Sequence, residues 1–224
     1  LGRVYHAFWF LLSLDCYLRT QDITRLARCD VAFDGYSVSL IFGVAVRGQE
    51  SKTGVNQGVV ISLGWLAECI LALVGLCDDH ALVFPMSAAL MRRDWQRFWE
   101  KRGFPTIKAL HDLRHSAAAA DLESGRRDLP GVQKRGRWRF ITSCHRYTKT
   151  HLVVMSRMMF GSAIIEQGRK FRSDPRDMIV AAIRSGPASK TREGQAVMSR
   201  LVSGPRLEDN CESVRSGDSS PPIP

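Results

Sequence analysis

Apolar positions recur along this chain with two periods, one typical of helices and one of strands. An apolar stripe at helical spacing runs through residues 1–20, so this segment is predicted to be a helix. Residues 33–46 alternate, and residues 59–63 follow a polar turn, which predicts a small antiparallel sheet. Ser87 is the expected N-cap of a further helix. Helices are predicted over residues 22–29, 65–76, 88–102, 108–122, 129–135 and 151–165. The expected fold is therefore α+β and mainly α.

The composition of the chain changes near residue 166. The chain is 224 residues long and 45% hydrophobic, which is enough apolar material for one sizeable core. We predict one domain over residues 1–166. Gly, Pro, Ser and Arg accumulate afterwards, so residues 167–224 are predicted to be a basic and largely disordered tail, with short helices at most over 178–183 and 196–201.

The net charge of +10 is concentrated in the middle of the chain. Residues 91–157 hold 16 Lys and Arg against 6 Asp and Glu, whereas residues 1–90 hold 6 against 8. A concentrated basic block indicates a polyanionic partner. A solvated basic face remains the alternative explanation for such a block.

The six cysteines show neither a CxxC pair nor a spacing typical of zinc, so we predict no metal site. Most lie in apolar runs and are predicted to be reduced, which favours an intracellular protein, nuclear in a eukaryote and in the cytoplasm or nucleoid of a bacterium. The apolar runs over 5–14 and 59–77 are too short or too interrupted to span a bilayer, so we expect no membrane partner. The first residues already have a helical pattern, so we expect an upstream portion.

Three segments and one turn carry the residues suited to phosphate chemistry. Arg19 is followed three positions later by Asp22, and Lys52 stands in Ser-Lys-Thr-Gly on the hairpin turn. In the segment HDLRHS, the first His and the Arg are three positions apart and share one helix face. In the last segment, Trp138 and Tyr147 are nine positions apart.

In this order the segments resemble the catalytic domain of the tyrosine recombinases, the phage-integrase family. The resemblance covers roughly residues 1–160. It implies a helical fold with a small antiparallel sheet that carries the lysine, and it requires no cofactor and no metal. The catalytic residues that it implies are Arg19, Lys52, His111, Arg114, Trp138 and Tyr147.

The residue types fit the chemistry of a phosphodiester. Guanidinium is planar and permanently charged, so Arg19 and Arg114 would hold the phosphate and stabilise the transition state. The Tyr147 oxygen would attack phosphorus and form a 3′-phosphotyrosyl link. The indole N–H of Trp138 can donate to the phosphate but cannot transfer a proton.

The remaining family positions would handle protons and orientation. By the resemblance, His111 would accept the phenol proton and Lys52 would protonate the departing 5′ oxygen. Asp22 is expected to pair with a base and to orient the helix that follows Arg19. We assign no role to His115, because it only adjoins the pattern.

The expected partner is double-stranded DNA, bound by a homo-oligomer that the family resemblance makes a tetrameric synapse. Four bases around the predicted site are candidates for contacts with the DNA backbone: Arg135, Arg137, Arg139 and Arg146. The family's core-binding domain is not found here, so we expect reduced DNA affinity. The activity of this chain by itself is an open question.

Two alternatives remain beside site-specific DNA cleavage and rejoining in recombination or integration. One is a non-catalytic, DNA-binding remnant of a mobile-element recombinase, and the other is a type IB topoisomerase-like enzyme. The sequence also departs from the family at Gly136, because the glycine stands one residue earlier than the usual Leu-Gly-His pattern places it.

Overall fold

The structure, a computed structural model, describes residues 4–44, 48, 54, 57–104, 109–148 and 158–209, without the side chains of Arg146 and Thr148. It is mainly helical and has one three-stranded antiparallel sheet in this part of the chain, as predicted. The helices are α1 (Val4–Cys16), α2 (Thr20–Thr24), α3 (Gly64–Val74), α4 (Ala88–Glu100), α5 (His111–Glu123), α6 (Leu129–Gly136), α7 (Ser162–Ser173), α8 (Pro175–Ser185) and α9 (Arg192–Ser203). The strands are β1 (Val31–Phe33), β2 (Val38–Phe42) and β3 (Gln57–Val60).

Helix α1 ends earlier than its apolar stripe predicts. Its apolar face, with Phe8 and Leu12, is buried in the core. The next residue after the helix, Tyr17, has a φ of 50°, and this left-handed conformation ends the helix. The helix predicted over 22–29 is also shorter, since α2 covers only five residues and a 3₁₀ turn follows at Arg28–Asp30.

Strand β2 is the middle strand of the sheet. Leu40 of β2 pairs with Val31 of β1 on one side and with Val59 of β3 on the other. Val38, Leu40 and Phe42 are buried, and the residues between them are more exposed, which is the period of two expected of a strand with one face on the core. Residues 43–56, where the hairpin turn with Lys52 is predicted, connect β2 to β3 in the sequence, and Lys52 itself lies outside the described residues.

Capping residues fix the starts of the helices near the basic block. The Ser87 side chain accepts a hydrogen bond from the Leu90 amide, so the predicted N-cap of α4 is confirmed. Asp128 accepts from the Gly131 amide and starts α6. Arg137 ends α6 in the left-handed conformation, with a φ of 54°.

The prediction of a largely disordered tail is wrong for residues 167–209. Helices α7, α8 and α9 occupy most of this segment, and Asp174 and Thr191 cap the last two. Ile183, Val197 and Leu201 lie in the main core. The last two helices include residues 178–183 and 196–201, where short helices were expected, and both are longer than expected because they bury apolar residues of the tail. Residues 210–224 lie outside the described part.

The helix predicted over residues 151–165 lies mostly outside the described residues, because 151–157 are among those not described. The structure does place a helix boundary within its last part. Gly161 has extended backbone angles and precedes α7, which begins at Ser162. Residues 162–165 of the predicted segment therefore belong to α7.

Two groups of buried apolar residues form the interior. The larger one joins α1, the sheet, α3 and the C-terminal helices. The smaller one joins the end of α1 to α5, α6 and the 3₁₀ turn His145–Thr148. Its buried members are Tyr17, Ala117, Ala118, Val132, Cys144 and Tyr147. The sequence-predicted tyrosine nucleophile is therefore part of this second core.

The segment after α9 crosses the start of α3. The Gly64 amide donates to Asp209 Oδ1 at 2.7 Å, and the Leu207 amide donates to Glu68 Oε1 at 2.7 Å. A Cβ atom on Gly64 would overlap the Leu207 carbonyl group and the Glu208 oxygen. Only glycine leaves room for the crossing segment.

Gly64→Ala should release the C-terminal segment and lower the free energy of unfolding by about 1–3 kcal/mol, the usual cost of overpacking. Faster proteolysis near residues 204–209, measured beside urea unfolding, checks this result. The control is Gly168→Ala on α7, where nothing lies near the added Cβ, so helix propensity should raise the stability slightly. Equal proteolysis of both variants would contradict the crossing contact.

Candidate active site

Arg114 lies on the inner face of α5 and ties together the ends of two other helices. The residue is 1% exposed. One terminal nitrogen donates to the Tyr17 carbonyl just after α1, and the other donates to the Gly136 carbonyl at the end of α6. These carbonyls are free to accept because they lie at helix ends. Tyr17, to which sequence analysis gave no role, therefore helps to hold the candidate phosphate-binding arginine.

Trp138 covers Arg114. The guanidinium carbon lies 4.3 Å from the centre of a ring of the indole, a cation–π contact. The indole also rests directly on Gly136, where a Cβ atom would overlap three of its ring carbons. A glycine is therefore needed at 136, the position where this sequence departs from the family pattern.

Tyr147 completes a compact group with Trp138 and Arg114. It lies on the 3₁₀ turn His145–Thr148 and is 6% exposed. Its ring centre is 5.2 Å from that of Trp138. Its hydroxyl and His115 Nδ1 are 2.5 Å apart and share a hydrogen bond, in which the phenol donates when the imidazole proton is on Nε2. The structure thus brings three of the predicted catalytic residues together.

Arg19 and Asp22 meet at the start of α2. The Arg19 amide donates to Asp22 Oδ2 at 3.0 Å, and Arg137 Nη2 donates to the same oxygen at 2.6 Å. Asp22 therefore pairs with a base and caps the helix that follows Arg19, as expected. Burial lowers the pKa of the half-buried Arg19, although Asp22 opposes this shift.

The positive charges of Arg19, Arg114 and Arg137 favour the binding of an anion. Burial, together with the positive charges of Arg19 and Arg137, lowers the pKa of Arg114 to about 9, against the opposing effects of Asp22 and Tyr147. Arg114 therefore still carries its proton at neutral pH. Three guanidiniums act on one another here with one carboxylate among them, so an oxyanion in this place would stabilise all three.

The histidine that hydrogen-bonds to Tyr147 in the described structure is His115, which sequence analysis left without a role. His111 lies on the same face of α5 one turn earlier, and its ring is 4.2 Å from that of His115. His111 is exposed, whereas His115 is half-buried. The spacing of four between the histidines is visible in the sequence, but the position of Tyr147 beside the second one depends on tertiary packing.

Arg135 does not lie on the surface, so the prediction that it binds the DNA backbone is wrong. Its side chain is 4% exposed. It donates to Asp15 Oδ2 at 3.0 Å, to the Asp15 carbonyl at 2.7 Å and to the Val60 carbonyl at 3.2 Å. The inner face of α6 carries Arg135, and the buried carboxylate of Asp15 requires a cation there.

The other predicted DNA contacts have different outcomes. Arg137 is buried too, which corrects its prediction as a surface contact; its guanidinium lies 4.6 Å from the centre of the Phe42 ring. Its Nε and Nη1 have no hydrogen-bond partner among the described residues. Arg139 is exposed, with its guanidinium 5.3 Å from the centre of the Phe140 ring, and its contact with DNA stays a prediction. Lys52 and the side chain of Arg146 lie outside the described part.

The group formed by Arg114, Trp138 and Tyr147 is closed to solvent in this conformation. Arg114 and Tyr147 are both buried, and Trp138 lies over the guanidinium. A DNA phosphate could reach Arg114 only after the indole has moved away. The arrangement therefore holds the reacting groups together without exposing them.

Comparison with known proteins adds no family assignment, since no protein-family model matches the chain and a search of curated proteins finds no match. Within the described residues, no group of three or more His, Cys, Asp and Glu side chains could hold a metal ion. No helix in the described ranges is long and apolar enough to cross a membrane. Of the cysteines that the structure describes, Cys16 and Cys69 are buried and Cys77 is half-buried, and none of these three forms a disulfide.

Proposed function

We propose that this chain cleaves and rejoins DNA strands through a 3′-phosphotyrosyl intermediate, as tyrosine recombinases do. One observation carries the proposal: Arg114, Trp138 and Tyr147, which lie far apart in the sequence, meet in one basic group. The electrostatic coupling of Arg19 to Arg114 supports it as well. Structural packing alone does not require a phenol beside a buried and incompletely neutralised cluster of arginines.

In the proposed reaction, Arg19 and Arg114 bind the non-bridging oxygens of one phosphodiester. Two guanidiniums neutralise the charge that develops there as Tyr147 attacks phosphorus. They also favour the phenolate over the phenol, which is otherwise protonated at neutral pH because its ordinary pKa is near 10. The indole N–H of Trp138 donates a further hydrogen bond to the phosphate once the ring has left the guanidinium.

The bond from phosphorus to the 5′ oxygen breaks as the bond to Tyr147 forms. Lys52 is proposed to protonate the departing oxygen. The phosphotyrosyl link conserves the energy of the broken bond, so the 5′ hydroxyl of a second strand can attack it and regenerate the tyrosine. The residues assigned to these steps need no metal and no nucleotide cofactor.

The proposed partner is double-stranded DNA, bound by several copies of the chain. The middle of the sequence carries the excess of positive charge, and the exposed Lys134 on α6 and Arg139 shortly after it belong to this part. Such bases would contact backbone phosphates around the site and fix the register of the duplex. Binding should therefore weaken steeply as salt is added.

One observation favours a second candidate, a DNA-binding protein without catalysis. Both terminal nitrogens of Arg114 are occupied by backbone carbonyls, and the residue is covered by Trp138. If the indole never leaves, the basic surface could still bind a duplex, but no phosphate would reach Tyr147. The two candidates differ in a single product, a covalent complex with DNA.

The test uses nicked duplexes of randomised sequence, in which cleavage releases a short strand and traps the covalent complex. The native chain should give labelled DNA that stays attached in denaturing detergent, whereas Tyr147→Phe should give none. Tyr36→Phe is the matched control, because Tyr36 is exposed on the turn between β1 and β2. DNA binding by the native chain without any adduct across the library would favour the non-catalytic candidate.

A further inference from the structure

We infer that His115, and not His111, is the catalytic base that takes the proton from Tyr147. This inference rests on the proposed function and assigns a role within it that the family resemblance gave to another residue. The decisive contact is the hydrogen bond between the Tyr147 hydroxyl and His115 Nδ1. A base must reach the proton that it removes, and His115 is already at that distance.

The surroundings of the His115 and Tyr147 rings suit the transfer of a proton between them. The ring centres of His115 and Tyr147 lie 5.3 Å apart with an angle of 34° between the planes. His115 is half-buried and Tyr147 is buried, so the pair is largely shielded from water. Shielding strengthens the hydrogen bond and keeps the phenol directed at the imidazole.

Helix α5 links this pair to the phosphate site. His115 directly follows Arg114, so the same turn of one helix would present both the base and a phosphate-binding cation. The positive charge of Arg114 attracts the phenolate form of Tyr147. This attraction raises the pKa of Arg114, against the lowering effect of burial. The negative charge left on the tyrosine oxygen would thus be stabilised in place.

His111 lies beside His115 and supports its imidazole ring. Its ring stands edge-on to that of His115 at 4.2 Å, with 89° between the planes, and it lies towards solvent. It therefore helps to fix the orientation of the His115 imidazole. Its removal should disturb the base less than removal of His115 itself.

Proton transfer to His115 accompanies the attack on phosphorus. The phenol proton passes from Oη to His115 Nδ1 while Oη forms its bond to phosphorus, and the electron pair of the broken bond leaves on the 5′ oxygen. The imidazole, initially neutral with its proton on Nε2, becomes imidazolium. In the reverse step, His115 returns the proton to Oη as the phosphotyrosyl bond breaks.

The rate of adduct formation on the nicked duplex tests the assignment. His115→Gln should slow it by about 100-fold or more, the usual contribution of a general base. His111→Gln should have a clearly smaller effect. His80→Gln, an exposed histidine after α3, is the control with the same change of side chain.

Chemical rescue separates a base from a merely structural residue. His115→Ala leaves a gap beside Tyr147, and added imidazole should restore adduct formation in a concentration-dependent manner. Imidazole should not restore Tyr147→Phe. A His115→Ala variant that is slow and indifferent to imidazole, or a His115→Gln variant within threefold of the native rate, would overturn the assignment.

A second measurement addresses the contact without any DNA. The six histidines are followed by nuclear magnetic resonance as the pH is changed. Tyr147→Phe should shift the titration of His115. An unmoved His115 would overturn the inference even if adducts form. If Tyr147→Phe shifts the titration of His115 but the native chain forms no adduct with DNA, the contact is real and the proposed function is refuted. The catalytic role of His115 is then refuted as well.

Discussion

Arg135→Met should lower the free energy of unfolding by about 3–5 kcal/mol, the usual cost of removing one partner from a buried ion pair. The substitution would leave the carboxylate of Asp15 in the interior, where its side chain is 1% exposed. The Ser62 amide would still donate to Asp15 Oδ2 at 2.8 Å, but Oδ1 already has no hydrogen-bond partner in the described structure. Two backbone carbonyls would lose their donor as well. Urea unfolding of the native chain and the variant measures the difference.

The matched control is Arg139→Met, which removes the same charge four residues later. Arg139 is exposed, so its substitution should change the stability by no more than about 0.5 kcal/mol. Similar small changes in both variants would mean that Arg135 lies at the surface. In that case, the original expectation of a DNA-backbone contact would be restored for Arg135.

Gly136→Ala should dislodge the indole of Trp138 from Arg114. The added Cβ would overlap three ring carbons, and the backbone of Gly136 is helical, so the whole effect is steric. We expect the free energy of unfolding to fall by about 1–3 kcal/mol, as in overpacked cores. Gly75→Ala at the end of α3 is the control, because its Cβ would make only ordinary contacts.

A double-mutant cycle shows whether the indole is the cause. In the background of Trp138→Ala the methyl group has room, so Gly136→Ala should cost much less there than in the native chain. The coupling should reach about 1–3 kcal/mol, within the range for residues in contact. Equal costs in both backgrounds would mean that Trp138 does not lie on Gly136, and the closed state of the site would have to be described anew.

The fold class and the order of the helices could be predicted because they depend on local patterns. The Ser87 cap and the alternation in β2 are visible over a few residues, and each leads to its element directly. The predicted ends of the helices were less accurate where tertiary contacts determine them. Tyr17 ends α1 in a left-handed conformation, and its hydroxyl donates to Asp121 at 2.6 Å across the smaller core, which no local pattern shows.

The candidate site was predictable as a set of residue types, but its contacts were not. The resemblance named Arg114, Trp138 and Tyr147, and the structure brings these three together. It named His111 for the phenol proton, whereas the phenol lies against His115. The choice between two histidines one turn apart depends on how the turn His145–Thr148 docks on α5, and that docking involves residues more than thirty positions apart.

The predicted surface contacts failed for a different reason. A dense run of arginines suggests a solvated basic face, and the exposed Arg139 fits that description. Arg135 and Arg137 instead neutralise Asp15 and Asp22, two acids from the first thirty residues. A charge run in a sequence does not reveal which of its members will meet a distant carboxylate inside the fold.

The link between Glu68 and the C-terminal helices has a practical consequence for shortening the gene. Glu68 is buried on α3, and its carboxylate accepts from the Arg176 guanidinium on α8 and from the Leu207 amide. A chain truncated at residue 166 would strand this acid and uncover the side of α3 on which Val197 and Leu201 rest. An expression fragment of this protein should therefore extend at least to residue 209.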